Sequence, residues 1–139
     1  MEKYPIKDFQ RGDENHVLNS YLNYGYAIVR AIFCRLIVAH GLLPSLGIFH
    51  KNIYNHFSLA DDLMEPIRPI VDIKAINLYN INNTGIGFKQ TMLSILNDKY
   101  EFQNKHYDLF GVCERYISSY MNTIMENSET LEFPKYVGG

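Results

Sequence analysis

Apolar positions keep a helical period through most of the chain. Val17, Leu18, Tyr21, Leu22, Ile28, Val29, Ile32, Phe33, Leu36 and Ile37 recur at steps of three and four, which predicts a long amphipathic helix opening near Asp13. Asp13 or Asn15 offers a capping oxygen and Gly41 a stop. Such a helix has about 25 residues and a length of roughly 38 Å. Its wide apolar face predicts a central, largely buried position. Ser58 reads as the N-cap of a second helix, with Asp61 three positions on as its acidic partner. Leu59, Leu63, Ile67 and Ile70 or Val71 form its buried stripe, and Pro66 and Pro69 predict a bend or break. A third helix is expected over roughly 87–96 and a fourth over roughly 107–125, the latter with a core stripe of Leu109, Phe110, Val112, Cys113, Tyr116, Ile117, Tyr120, Met121 and Ile124.

The segments between are polar or irregular. Residues 1–12 lack a sustained period, "NLYNINNTGIG" (77–87) reads as a loop, "NDKYEFQNKH" (97–106) as a connection, and 128–139 as a loose tail from which Leu131 and Phe133 can dock onto the bundle. No stretch alternates apolar and polar residues between two turn signals, so no strand is predicted. The expected fold class is all-α: one helical domain over 1–139, of about four to six helices, with its core in 13–127.

Composition narrows the function classes. An apolar content of 47% with 20% charge is that of an ordinary globular domain. A net charge of −2 excludes a polyanion binder acting through bulk charge alone. The distribution says more: Asn15 to Ala60 contains no Asp or Glu, only Arg30, Arg35 and Lys51, whereas after Thr84 seven acids face five bases. A neutral-to-positive half leading into an acidic cluster suits a metal site facing phosphate; simple unevenness is the plain alternative. Cys34 and Cys113 stand far apart and read as buried thiols, with neither a zinc motif nor a disulfide framework. The most hydrophobic run, "AIVRAIFCRLIVA" (27–39), is short for a bilayer span and carries two arginines, so a soluble, cytoplasmic protein without a membrane partner is expected.

The densest chemistry lies in "GIFHKNIYNHFSLADDLMEP" (47–66), which holds His50, His56, Asp61, Asp62 and Glu65. On a helix, residues four apart are separated by about 40° and residues three apart by about 60°, which puts Asp61 and Glu65 on one face with Asp62 at its margin. Carboxylates so close repel unless a cation or proton relieves them. His50, from the preceding loop, can bring a neutral nitrogen to the same point. One imidazole with carboxylates is a ligand set for Mg²⁺ or Mn²⁺, too hard for structural zinc. An ion held by few protein ligands keeps positions open for phosphate oxygens. The competing readings are ordinary: Asp61 and Asp62 as partners of a helix N-terminus, His50 as a hydrogen-bonded structural residue, His56 as either, and His16, His40 and His106 as structural or solvated. Lys51 and Arg68 are the nearest cations for phosphate contact, and Arg68 can equally pair with Glu65 or Asp72.

The wording of three segments goes further. "LNYGYAIVRA" (22–31), "HGLLPSLGIFHKNIYNHFSLADDLMEPIRPIVD" (40–72) and "LEFP" (131–134) closely resemble the C-terminal helical domain of the CRISPR-associated spacer-acquisition integrase, the larger, metal-dependent subunit of the adaptation complex, in its type II flavour. The resemblance implies a homodimer that assembles with a smaller partner subunit and inserts double-stranded protospacer DNA at the edge of a CRISPR repeat. It also implies endonuclease activity and metal-dependent transesterification in antiviral defence. The family triad is a glutamate, a histidine and a later acid. The histidine corresponds to His50 and the acid to Glu65, with Asp61 or Asp62 as fallback. The first glutamate projects before Met1, and Glu2 stands too near the domain to serve. The resemblance therefore implies a fragment without the family's N-terminal β-domain, weak in metal binding and poor in catalysis by itself.

Overall fold

The computed structural model describes residue 11 and residues 16–41, 58–125 and 133–139. The elements are α1 (Val17–Ala39), α2 (Ser58–Met64), α3 (Arg68–Ile81), α4 (Phe88–Met92) and α5 (Leu109–Met125), with short strands β1 (Lys99–Phe102), β2 (Lys105–Tyr107) and β3 (Lys135–Gly138). Helix α1 is central, as its broad apolar face predicts. It packs against α2, α3, α4 and α5, burying Leu18, Tyr21, Leu22, Val29, Phe33 and Ile37. By length and composition α1 is apolar enough to cross a membrane, and one face of it forms the core of the bundle. Its N-cap is His16, whose Nδ1 accepts from the Leu18 amide at 3.1 Å, while the ring lies 5.4 Å from that of Tyr79 on α3. Asp13 and Asn15 lie outside the described residues. Gly41, at φ 78°, ends the helix in the left-handed conformation that glycine adopts without strain.

Gly25 marks the tightest crossing. A Cβ there would lie 2.7 Å from Val71 Cγ1 on α3 and 2.5 Å from Met92 Cε on α4. Only a hydrogen lets the three helices approach so closely.

The prolines act as the sequence predicts. Between α2 and α3 the chain tightens into a 3-10 turn, Glu65–Ile67, with Pro66 in its first turn, and α3 begins with Pro69 in the same relation. Helix α3 then runs on to Ile81, through residues read from their asparagines as loop, because Leu78 and Tyr79 pack against the core. Tyr21 closes its end by donating to the Asn82 carbonyl at 2.9 Å.

The domain is mostly helical, with one departure from expectation. The segment read as a connection forms a hairpin, and part of the tail read as loose joins it in a three-stranded sheet of order β2-β1-β3, antiparallel throughout. Gln103 (φ 53°) and Asn104 (φ 62°) make the two-residue turn, whose left-handed geometry matches the twist of paired strands. Tyr100 and Phe102 alternate inward and bury against α5. The Tyr136 ring lies 5.5 Å from that of Tyr100, and its hydroxyl donates to Asp98 Oδ2 at 3.0 Å. The same oxygen pairs with Lys74 Nζ of α3 at 2.7 Å, in a buried polar knot joining helix, hairpin and C-terminal strand.

Candidate metal and nucleic-acid site

The acids at 61, 62 and 65 do not converge. Asp61 faces α1, where Arg30 Nε lies 2.9 Å from its Oδ1, and its side chain is 15% exposed. Asp62 points inward, at 8% exposure. On that side Tyr120 of α5 is raised in pKa, by burial first and then by the charge of Asp62. Glu65 stands on the 3-10 turn with its side chain 54% exposed. Asp61 lies within α2 and Glu65 opens the 3-10 turn that follows it, and the two carboxylates have different partners, Arg30 and Arg68. Repulsion within the cluster is relieved by arginines, Arg30 for Asp61 and Arg68 for Glu65.

Arg68 carries the rest of the local geometry. Its Nε is 2.9 Å from Glu65 Oε1, an i,i+3 pair of the kind the sequence allowed. The N–H does not point along that line, so the attraction is Coulombic, and Arg68 Nε is the buried side-chain nitrogen lacking a hydrogen-bond partner among the described residues. The guanidinium lies over the ring of Tyr26 on α1, 5.0 Å from its centroid. Tyr26 in turn donates from its hydroxyl to Asp72 Oδ1 on α3. Arg11 reaches the same ring at 5.5 Å and donates to Asn19 Oδ1 and, at 2.7 Å, to Asn23 Oδ1. A ring between cations is held by the attraction of positive charge to its face, worth roughly 0.5–1 kcal/mol per exposed pair. Arg11, Tyr26 and Asp72 thus belong to this patch, although sequence reasoning did not single out Arg11 or Tyr26. The "YAIVR" spacing that brings Tyr26 and Arg30 to successive turns of one face was the available signal.

His50, Lys51 and His56 lie outside the described residues, so the structure gives no distance from His50 to Glu65. Among the described residues there is no group of three or more His, Cys, Asp or Glu able to hold a metal ion. Of the three clustered acids, Glu65 is the one whose carboxylate stands at the surface, paired to Arg68, so it is more open to an ion than Asp61 or Asp62. The other histidines take the ordinary roles expected of them: His16 caps α1, His40 ends it, and His106 is exposed on β2. Both cysteines are free; Cys113 is buried as expected, whereas Cys34 is only half-buried, and burial pushes both thiol pKa values upward.

Comparison with known proteins identifies the setting. A family model described as CRISPR associated protein Cas1 matches residues 9–99. The CRISPR-associated endonuclease Cas1 of Neisseria meningitidis serogroup C (strain 8013) is 34% identical over 132 residues, 91% of this chain and 43% of that protein. A CRISPR-associated endonuclease Cas1 1 of Pyrobaculum aerophilum is 44% identical over 61 residues, which are 44% of this chain and 20% of that protein. Among solved structures, a casposase bound to integration product matches with a TM-score of 0.71 at 27% identity, covering 91% of this chain and 43% of that one. The chain thus spans less than half the length of these relatives. The family match takes in Glu65 and Arg68 within residues 9–99, and the casposase shares the fold: the chain belongs to the CRISPR associated protein Cas1 family.

Proposed function

We propose that this chain is the helical part of a metal-dependent DNA endonuclease and integrase that inserts spacers into CRISPR arrays by phosphodiester transesterification. The observation that carries the reading is the surface carboxylate of Glu65, exposed where Asp61 and Asp62 are taken up by Arg30 and the core, in a chain of this family. His50 and Glu65 hold a Mg²⁺ or Mn²⁺ ion, and Lys51 and Arg68 receive the phosphates of double-stranded DNA. When bound, the ion supplies Lewis-acid chemistry, easing deprotonation of a hydroxyl and offsetting charge on the phosphoryl oxygens.

The residues of the chain orient the DNA for that chemistry. Arg68, held over the Tyr26 ring, presents a planar donor to a phosphate oxygen, and Lys51 adds a point charge beside it. The protospacer 3′-oxygen attacks phosphorus at the edge of a repeat, one P–O bond forms as another breaks, and the departing 3′-oxygen takes up the proton. The number of phosphodiester bonds is unchanged, so no external energy source is required. DNA is recognised by backbone and shape, the protein acts as a homodimer with a smaller adaptation subunit, and the setting is cytoplasmic. Exposed Ile73 and Phe110, among the solvent-facing apolar side chains, are suited to such contacts.

The resemblance implies a third, earlier acid in the ligand set, so these 139 residues alone nick DNA slowly or not at all. Incubating the purified chain with supercoiled plasmid and Mn²⁺ tests this, with His50→Ala and Glu65→Gln alongside. Weak or absent nicking is expected; brisk Mn²⁺-dependent nicking lost in His50→Ala overturns the incomplete-site reading. A second reading, a helical module that binds DNA or protein without turnover, is favoured by the Glu65–Arg68 pair and by the lack of a three-ligand group among the described residues. DNA binding indifferent to Mn²⁺ and to Glu65→Gln selects it.

A further inference from the structure

Every acid in the cluster has an arginine or the core as its neighbour, and at Glu65 the neighbour, Arg68, is itself held in place by an aromatic ring. The pair spans the junction between the 3-10 turn and α3, where Pro66 and Pro69 fix φ on either side and so set the spacing of the two residues. The Tyr26 ring supports the guanidinium from beneath, and the Tyr26 hydroxyl is anchored on Asp72. Arg68 is therefore prepositioned over the carboxylate, yet bound to it without an aligned hydrogen bond.

We propose that Arg68 is a built-in counter-ion for Glu65, which its guanidinium must leave before the carboxylate takes up a divalent cation. The proposal rests on the reading of Glu65 as a metal ligand. The physical reason is competition: a guanidinium 2.9 Å from the carboxylate satisfies its charge and repels a second cation approaching the same oxygens. A phosphate oxygen is the natural destination of the released group, since it accepts two parallel N–H bonds where Glu65 receives none in alignment. The ion's site is then empty of competition only when phosphate is at hand. Tyr26 is a positioning residue in this scheme, acting through Arg68.

The test is Mn²⁺ titration of the full 139-residue chain at low salt and without DNA, followed by water-proton relaxation, for wild type, Arg68→Gln, Arg68→Met and Glu65→Gln. Both Arg68 variants are expected to bind Mn²⁺ about fivefold more tightly than wild type, the worth of one surface ion pair. Arg68→Met retains an apolar stem against Tyr26 and serves if the glutamine variant folds poorly. Unchanged or weaker binding in the Arg68 variants, with binding lost in Glu65→Gln, overturns the counter-ion role and makes Arg68 a support for the liganded carboxylate. Binding untouched by Glu65→Gln removes the metal-ligand reading itself, and this inference with it.

Discussion

Lys74 Nζ lies 2.7 Å from Asp98 Oδ2, with 10% and 5% of the two side chains exposed to solvent. Lys74→Met removes the cation while preserving most of the apolar stem, and so leaves a buried carboxylate short of its partner. Breaking a buried pair from one side typically costs about 3–5 kcal/mol, because the remaining charge has lost its solvation without compensation. Asp98 keeps the Tyr136 hydroxyl at 3.0 Å, which places the expected loss at the lower end, about 3 kcal/mol. With an unfolding entropy of roughly 2.1 cal/mol/K per residue, a domain of this size loses about 10 °C in Tm. Circular-dichroism melts and urea titrations of wild type, Lys74→Met, Asp98→Leu and the double variant measure it. The double variant is expected to be more stable than the sum of the single losses allows, since an apolar pair of similar volume replaces the ion pair. A single-variant loss below about 1 kcal/mol, or strictly additive losses, refutes the account of the knot as a buried, coupled pair.

Two further outcomes test the packing and the tyrosines. Gly25→Ala is expected to destabilise by about 1 kcal/mol, because overpacking of about 1–3 kcal/mol against stiff Val71 outweighs a helix-propensity gain of about 1 kcal/mol; in a Val71→Ala background the same change becomes neutral or stabilising, as urea midpoints will show. Burial, then the hydrogen bond to Asp98 and its charge, pushes the Tyr136 hydroxyl up to about 12 from an ordinary 10.0, and burial raises Tyr100 and Tyr116 as well. The folded state thus holds the Tyr136 proton to higher pH than the unfolded chain, so its contribution is complete below pH 10 and is lost as pH rises through 12. The phenolate signal lost in Tyr136→Phe should titrate near pH 12, and that variant should flatten the alkaline loss; a Tyr136 signal that titrates near pH 10 in the folded protein contradicts it.

The helices were legible because their stripes are long and regular, and Pro66 and Pro69 declared the break between α2 and α3. The hairpin was not, because four residues of β1 and three of β2 give too few alternations to stand out, and the turn uses Gln103-Asn104 without the glycine that usually signals one. Strand β3 depends on pairing with β1 and on the Tyr136–Asp98 bond, both remote in sequence. At the candidate site, the sequence showed which acids and arginines are neighbours along the chain. It did not show that Arg30, a helix away, takes Asp61, nor that Asp62 turns into the core. Spacing along one helix carries no information about which neighbouring helix supplies the counter-charge or the burial.

The most direct test is anomalous scattering from crystals of the chain soaked in Mn²⁺. The account predicts a manganese peak in ligand contact with Glu65 and with His50, with Arg68 withdrawn from the carboxylate. A peak on Asp61 or Asp62 instead, or a Glu65 carboxylate still paired to Arg68 at saturating Mn²⁺ with no metal beside it, contradicts it.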